Sequence, residues 1–458
     1  MTPSQKTFSF RVNRGRLLRV LGVGFGIAVI IGNTIGAGIF RAPGSIAAAL
    51  PQPALFLGVW ILGGLYALLG AISLAELGAM LPRSGGQYVF SRYALGEYAG
   101  FIVGWSDWIS TCGSAAAVSL LIGKFSGALF PILNGEARAA AVAIGVAVTF
   151  ALLQWGGIIW GSTAQNFTSL LKALAFLTLI VAAFMFGGQG SFRASAQLKT
   201  PAGFGLLTAL VLSLQSVIYT YDGWNGVVYF SEEVEDPGRD VPRAMFGGVL
   251  TIIAIYLLVN VALLYVLPIT QIAGQDLAAG AAAQVIFGRY GNTIFLSLTV
   301  LSMLSAINAY HLMATRVLFA ISRDGLFAKK AAEVNQGGTP AFALLISATV
   351  AVLFIVVGQT FDKVIGALAF FFVANYTLSF ISIFVLRRRE PEKERPYRAW
   401  GYPWTTGLVL IGSVLFLVGA IAADLNDGSR YSIYALILLA ISYPLYRVLK
   451  LANAGSEY

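Results

Sequence analysis

Residues 32–40 read Gly-Asn-Thr-Ile-Gly-Ala-Gly-Ile-Phe, three glycines and two polar residues inside a stretch otherwise apolar enough to lie in lipid. Each interior glycine costs a helix about 1 kcal/mol against alanine. A bilayer core offers no water to satisfy the backbone groups that a broken helix frees, so irregular backbone at that depth is tolerated only where it lines a cavity inside the protein. The segment therefore predicts a membrane helix in two halves and is the first candidate for a ligand site.

The chain around it is apolar throughout. Of its 458 residues 58% are hydrophobic and 11% charged, and the mean hydropathy is +0.79, against a charged fraction of about 25% in soluble proteins. Runs long enough to span, roughly 20 residues each, lie near 20–49, 54–80, 94–122, 138–157, 163–187, 206–232, 244–268, 292–321, 341–358, 363–386, 405–423 and 431–449. This predicts an all-α polytopic membrane protein of twelve spans. The first run continues into Arg41 and Pro43 rather than a small-residue cleavage site, so it is expected to stay as span 1. With one cysteine, Cys112, the chain forms no intrachain disulfide.

Basic residues set the orientation. From a cytoplasmic N-terminus bearing Lys6, Arg11, Arg14, Arg16 and Arg19, alternation through twelve spans puts roughly 20 Lys/Arg inside and roughly 8 outside, the positive-inside bias. Both termini are then cytoplasmic. The net charge of +10 is explained by topology, and no basic domain exists for nucleic acid. The cluster Arg387, Arg388, Arg389, Lys393, Arg395 and Arg398 reads as a solvated anchor, and 270–290 as a short amphipathic surface helix. The expected organisation is an N-terminal tail over 1–19, a membrane core over 20–390, and the last two spans with a C-terminal tail over 391–458.

A second interruption turns a site into an architecture. Residues 219–226 read Tyr-Thr-Tyr-Asp-Gly-Trp-Asn-Gly in the middle of the sixth run. Matching breaks in two halves point to a transporter built from inverted repeats with its substrate site at the midplane. Spans 1–5, about 20–187, would form one repeat and spans 6–10, about 206–390, the other. The half-helix beyond a break offers free N–H groups and a positive dipole end to a carboxylate, here through Thr34, Gly36, Ala37 and Gly38. The half-helix before a break offers free carbonyls to an ammonium group, here from Tyr219, Thr220 and Asp222. Amide donors on one side and carbonyl acceptors on the other fit an α-amino acid.

These residues carry a resemblance. GNTIGAGIF at 32–40, PRSGGQYVFSRYALG at 82–96, YDGWNGVVYFSEEVEDPGRDVPRA at 221–244 and RVLFAISRDG at 316–325 are similar, in order and over nearly the whole chain, to the amino acid–polyamine–organocation superfamily. RRREPEKERPYRAWGYPW at 387–404 and the YDGWN signature resemble the L-type amino acid transporter family, especially its prokaryotic members. The resemblance implies a LeuT-like fold of five-plus-five inverted repeats, alternating access, and amino acid transport, commonly by exchange.

Lys172 sits about ten residues into the fifth run, where an ionised lysine costs at least about 2.5 kcal/mol and needs a partner or a function. The resemblance implies that it stands where sodium-coupled relatives hold an ion, approaching the backbone of Gly32 and Ile35, with Ser302 and Ser305 as further partners on span 8. Sodium independence follows. The Asp222 carboxylate either meets the substrate ammonium or turns to the unwound backbone. Aspartate there follows the prokaryotic pattern, which implies neutral substrates. Tyr219 takes the place of the family's aromatic gate, Trp224 follows it in the motif, and Asn225 and Asn375 either hydrogen-bond substrate or satisfy backbone.

Other polar residues read as structural. His311 has no second metal ligand near it in sequence, and Asp107 and Glu76 fit helix ends or interfacial networks. The acidic run Glu232, Glu233, Glu235 and Asp236 reads as a solvated end that could latch to Arg83 or Arg92. No cofactor is expected, and convergent acid, base and nucleophile for an enzyme are missing. Mammalian relatives join a glycoprotein through a cysteine between spans 3 and 4. Residues 123–137 contain none, so no disulfide-linked subunit is expected. The expected function is sodium-independent exchange of neutral L-amino acids, with proton-coupled uptake and a non-transporting amino acid sensor as alternatives.

Overall fold

The computed structural model describes residues 16–188, 190, 198–358, 361–427 and 431–454. Lys6, Arg11 and Arg14 of the predicted tail lie outside the described residues. The first run is two helices, α1 (Val23–Thr34) and α2 (Gly38–Ala49), bent by 48° at the glycine-rich break. After them come α3 (Pro53–Met80), the short α4 (Gln87–Leu95), α5 (Glu97–Leu129), α6 (Glu136–Trp155) and α7 (Ile158–Phe186). The sixth run opens as α8 (Phe204–Tyr221), breaks at 222–225, and resumes only as a five-residue 3₁₀ turn, Gly226–Phe230. The chain continues through α9 (Pro237–Val266), the short α10 (Ile269–Ile272) and α11 (Ala278–Phe287), α12 (Gly291–Arg323), α13 (Ala341–Gly358), α14 (Phe361–Arg389), α15 (Trp404–Asp427) and α16 (Tyr431–Ala454).

Nine of these stretches are long and apolar enough to cross a bilayer, and the bent pair α1–α2 brings the number to 10 among the described residues. The two other predicted runs are occupied by α13 and α16. Helix α13 is apolar and eighteen residues long, inside the range of about 17–25 residues that spans a bilayer. The stretch read as a short amphipathic surface helix, 270–290, holds the short helices α10 and α11, with Gln284, Val285 and Tyr290 exposed. Ala278, Ala279, Ala282 and Ala283 of α11 are buried, and the turn before it is tied to α2 by Gly274 N–H donating to Gly44 O at 2.9 Å.

Two groups of helices share the interior. In one, α9 lies along both α1 and α3, and α8 packs on α2 and α3; in the other, α5 lies along α12, α6, α13 and α14. Helices α7 and α12 touch α1 from the second side. The broken helix is thus where the groups meet. Small residues make that meeting close: a Cβ on Gly26 would fall 2.4 Å from Ala244, and one on Gly70 2.7 Å from the Trp224 ring.

A candidate substrate site at two helix breaks

Helix α1 ends because Ile35 takes ψ 89°, and α2 starts at Gly38 with no side-chain cap, so its first amides have no intrahelical acceptor. Opposite, Gly223 has φ 103°, a conformation that favours glycine, and its Cβ position is 2.7 Å from Asn33 Nδ2. The two breaks therefore lie against each other. Gly38 abuts Thr220, with its Cβ position 2.9 Å from Thr220 Oγ1, whereas Gly36 faces open space. A cavity of about 360 Å³ opens over Ala37, Gly38, Tyr219 and Thr220, with Arg41, Gln275 and Asp276 further along its wall.

Lys172, fully buried on α7, donates from Nζ to Gly32 O at 2.8 Å and to Ile35 O at 2.5 Å. Ser302 Oγ on α12 donates to the same Ile35 oxygen at 3.3 Å. Ser305, grouped with it in the sequence reading, instead donates to Ser302 O within its own helix at 2.9 Å. The lysine is one member of a polar stripe on α7. Ser169 Oγ donates to Ala28 O at 2.7 Å, Gln165 Nε2 donates to the same oxygen at 3.2 Å, and Asn308 of α12 donates to Gln165 Oε1 at 2.8 Å. A Cβ on Gly32 would strike Gln165 and Ser169, so this glycine lets α1 lie on the stripe. Positions 165, 169 and 172 share one helical face, a signal the sequence carried and the sequence reading passed over.

The second break is organised by residues that sequence reasoning did not single out. Tyr376 of α14 donates to Asp222 Oδ1 at 2.5 Å and reaches Asn225 Oδ1 at 3.4 Å. The Asp222 carboxylate thus turns to a tyrosine and to the Gly223 amide. Asp107, expected at a helix end or interface, is instead buried in α5 and accepts from the Tyr229 hydroxyl at 2.9 Å. Asn375 Oδ1 accepts from Ser106 Oγ at 2.9 Å. Thr34 Oγ1, Asp107 Oδ2, Asn225 Nδ2 and Asn375 Nδ2 are buried with no hydrogen-bond partner among the described residues. Trp224 is packing: its ring fills the space over Gly70 and lies 4.9 Å from the Tyr376 ring centroid. Tyr219 O is taken by the Asp222 amide at 3.1 Å, while Thr220 O and Thr34 O both face the Tyr256 hydroxyl of α9.

The end at which α1 begins carries a set of backbone bonds and ion pairs. Val20 and Leu21 amides donate to Glu233 O, and the Glu235 amide returns a bond to Leu21 O. The acidic run is solvated only at Glu235 and Asp236, and its other members pair with arginines other than those expected: buried Arg316 grips the buried Glu233 through two nitrogens at 3.0 and 2.9 Å, and Arg323 meets Glu232 at 2.7 Å. Arg83 and Arg92 pair with Asp324 at 3.1 and 3.4 Å. The basic cluster after α14 is likewise no simple solvated anchor, because Arg387 and Arg395 fold back on buried Glu76 at 2.6 and 3.1 Å. His311 is buried with Nδ1 3.1 Å from Ile307 O. No group of His, Cys, Asp and Glu among the described residues could hold a metal ion.

Two broken helices that meet beside a cavity, in a chain of apolar spans, are the architecture of a membrane carrier for a small solute. Residues 26–442 match the amino acid permease family model, and the chain belongs to that family. It is 30% identical to the serine/threonine exchanger SteT of Bacillus subtilis over 415 residues, covering 89% of this chain and 92% of that one. It is 29% identical to the mouse Asc-type amino acid transporter 1 over 84% of this chain and 73% of that one. Identity to the human b(0,+)-type amino acid transporter 1 is 26%, over 83% and 79% respectively.

Proposed function

We propose that this protein is a sodium-independent exchanger of neutral L-amino acids working by alternating access. The observation that carries the reading is the Lys172 ammonium on the carbonyls of Gly32 and Ile35, with Ser302 on the second of them. Those oxygens are acceptors freed by the break, and a fixed cation already occupies them, so a mobile sodium ion has nothing to add there. The Gly36–Gly38 amides take the substrate carboxylate. The Thr220 carbonyl takes its ammonium, and the side chain extends toward Asn225, Asn375 and Asp107. The name of SteT, a serine/threonine exchanger, supports exchange, and the family membership supports amino acid transport.

In this reading the chain has a LeuT-like fold, with twelve spans, inverted repeats over about 20–187 and 206–390, both termini cytoplasmic in a bacterial-type inner membrane, and no disulfide-linked subunit. The test is counterflow in proteoliposomes preloaded with single amino acids, with choline replacing sodium. Labelled neutral amino acid accumulating equally in both salts is the expected result. A strict requirement for sodium would overturn it, and saturable binding without accelerated uptake would make the protein a sensor. One observation favours proton-coupled uptake as a second reading: no basic side chain among the described residues pairs with Asp107 or Asp222.

A further inference from the structure

Helix α9 carries no charge from Ala244 to Val266, and α15 none from Thr405 to Ala422. Arg243 and Trp404 therefore stand where these two spans leave water for the apolar core. Phe246 joins the two entrances: its ring stacks on Trp400 at 5.2 Å and meets Tyr397 at 5.9 Å. Gly238 abuts the same segment, with its Cβ position 2.9 Å from Pro396. Arg239, Arg243 and Phe246 follow at spacings of four and three residues and share one helical face, and Arg398 lies in sequence between the two aromatic residues that Phe246 touches. All three arginines are exposed. Most of the neighbouring basic cluster is spent on protein groups: Arg387 and Arg395 on Glu76, Arg389 on Tyr93 O and Lys393 on Glu390. Arg243 and Arg398 have no hydrogen bond or ion pair among the described residues, and Arg239 has only its neighbour Asp240, at 3.9 Å. Trp400 and Trp404 are 64% and 83% exposed beside them, as fits rings at the headgroup level of a bilayer.

We propose that this patch binds the headgroup of an anionic phospholipid, with Arg243 and Arg398 on its phosphate and Trp400 and Trp404 against the glycerol and the upper acyl chains. A guanidinium fork matches phosphate oxygens two at a time. A zwitterionic headgroup offers the same phosphate but carries a cation beside it, which the arginines repel, so net negative charge is selected. Asp236 and Asp240 stand at the start of α9, yet neither pairs with Arg243 or Arg398. A phosphate held by both arginines ties the first turns of α9 to the segment whose Ala399 amide hangs from Glu76 of α3 at 2.7 Å. The bound lipid thus stabilises the entrance shared by α3, α9 and α15.

The experiment titrates the full chain, in a neutral detergent, with dioctanoyl phosphatidylglycerol, dioctanoyl phosphatidylcholine or inorganic phosphate while thermal unfolding is followed. A ligand that binds only the folded state raises the midpoint according to its concentration relative to Kd. Phosphatidylglycerol should reach half its full effect at a concentration about fivefold or more below that of phosphatidylcholine, with inorganic phosphate inert over the same range. Each basic residue at a charged membrane surface is worth about fivefold, so Arg243→Gln/Arg398→Gln should raise the phosphatidylglycerol requirement about tenfold or more. Neither arginine has a polar partner to lose, so this variant keeps its fold. Lys329→Gln/Lys330→Gln removes the same charge from exposed positions between α12 and α13 and should leave the requirement unchanged. Equal potency of the two lipids on wild type overturns the proposal, as does an unaltered requirement in the arginine variant. An equal loss in the lysine variant would make the attraction one of overall charge and overturn it too. Inorganic phosphate matching phosphatidylglycerol would make the ligand a free phosphate and overturn the assignment to lipid. Should the arginine variant fail to purify, the three wild-type titrations decide alone.

Discussion

At Lys172 and the glycines beside it, single atoms decide the outcome. Removing the ammonium by Lys172→Ala strands the buried Gly32 carbonyl, at a cost of about 1–3 kcal/mol if nothing replaces the donor, and leaves Ile35 O with the Ser302 hydroxyl alone. Apolar packing around α7 remains, so the variant should reach the membrane with a normal size-exclusion profile while exchange falls by about tenfold or more, the equivalent of 1.4 kcal/mol. Wild-type rates would remove the bridging role. The carboxylate site is best probed at Gly36 rather than Gly38. A side chain on Gly38 collides with Thr220 and would drive α2 from α8, whereas one on Gly36 enters open space. Gly36→Val should therefore abolish substrate binding in a fully folded protein, read by loss of ligand-induced thermal stabilisation. Unchanged affinity would move the carboxylate elsewhere. The break and the lysine were legible in the sequence, because glycines and a charge at membrane depth have few innocent explanations. Tyr256 and Tyr376 were not, since a tyrosine in an apolar run reads equally as packing or interface, and their partners lie 222 and 154 residues away.

At the scale of elements, the closed end depends on a pair buried on both sides, Glu233 and Arg316. A buried ion pair adds little net stability, but losing one partner is severe, about 3–5 kcal/mol, because the other charge is left unpaired. Here that charge can escape by opening the latch. Arg316→Met should bias the protein toward opening on the side of the N-terminus. A cysteine introduced at Ser84, whose hydroxyl touches Glu233, should then react faster with a soluble thiol reagent in a Cys112→Ala background. Equal labelling in the latched and unlatched proteins would rule out the latch. Its partners escaped the sequence reading for a plain reason. Acidic runs and basic clusters at helix ends are usually solvated, and only the packing of α12 brings Arg316 and Arg323 over residues 232–233.

At the scale of the whole molecule, the polar stripe of α7 and the hydroxyl of Ser302 hold α1 to one group of helices, while α3 and α9 hold it to the other. The cavity lies over α2, the half of the broken span that points away from the N-terminal latch. Access is therefore open on one side of the breaks and closed on the other. Solute-driven exchange of the two sides needs no ion if Lys172 is the permanent cation. The competing possibility is a proton carried on Asp107 or Asp222, and the two differ in what drives net movement. An exchanger loaded on one face only should stay nearly idle whatever the pH gradient, because the empty carrier returns slowly. A proton-coupled carrier should fill empty vesicles when the outside is made acidic. We expect vesicles without internal amino acid to show little uptake under an imposed acid-outside gradient, and preloaded ones to exchange at a rate that the gradient leaves unchanged. Gradient-driven accumulation in empty vesicles, lost in Asp107→Asn but kept in Lys172→Arg, would transfer the coupling role from the lysine to the buried carboxylate.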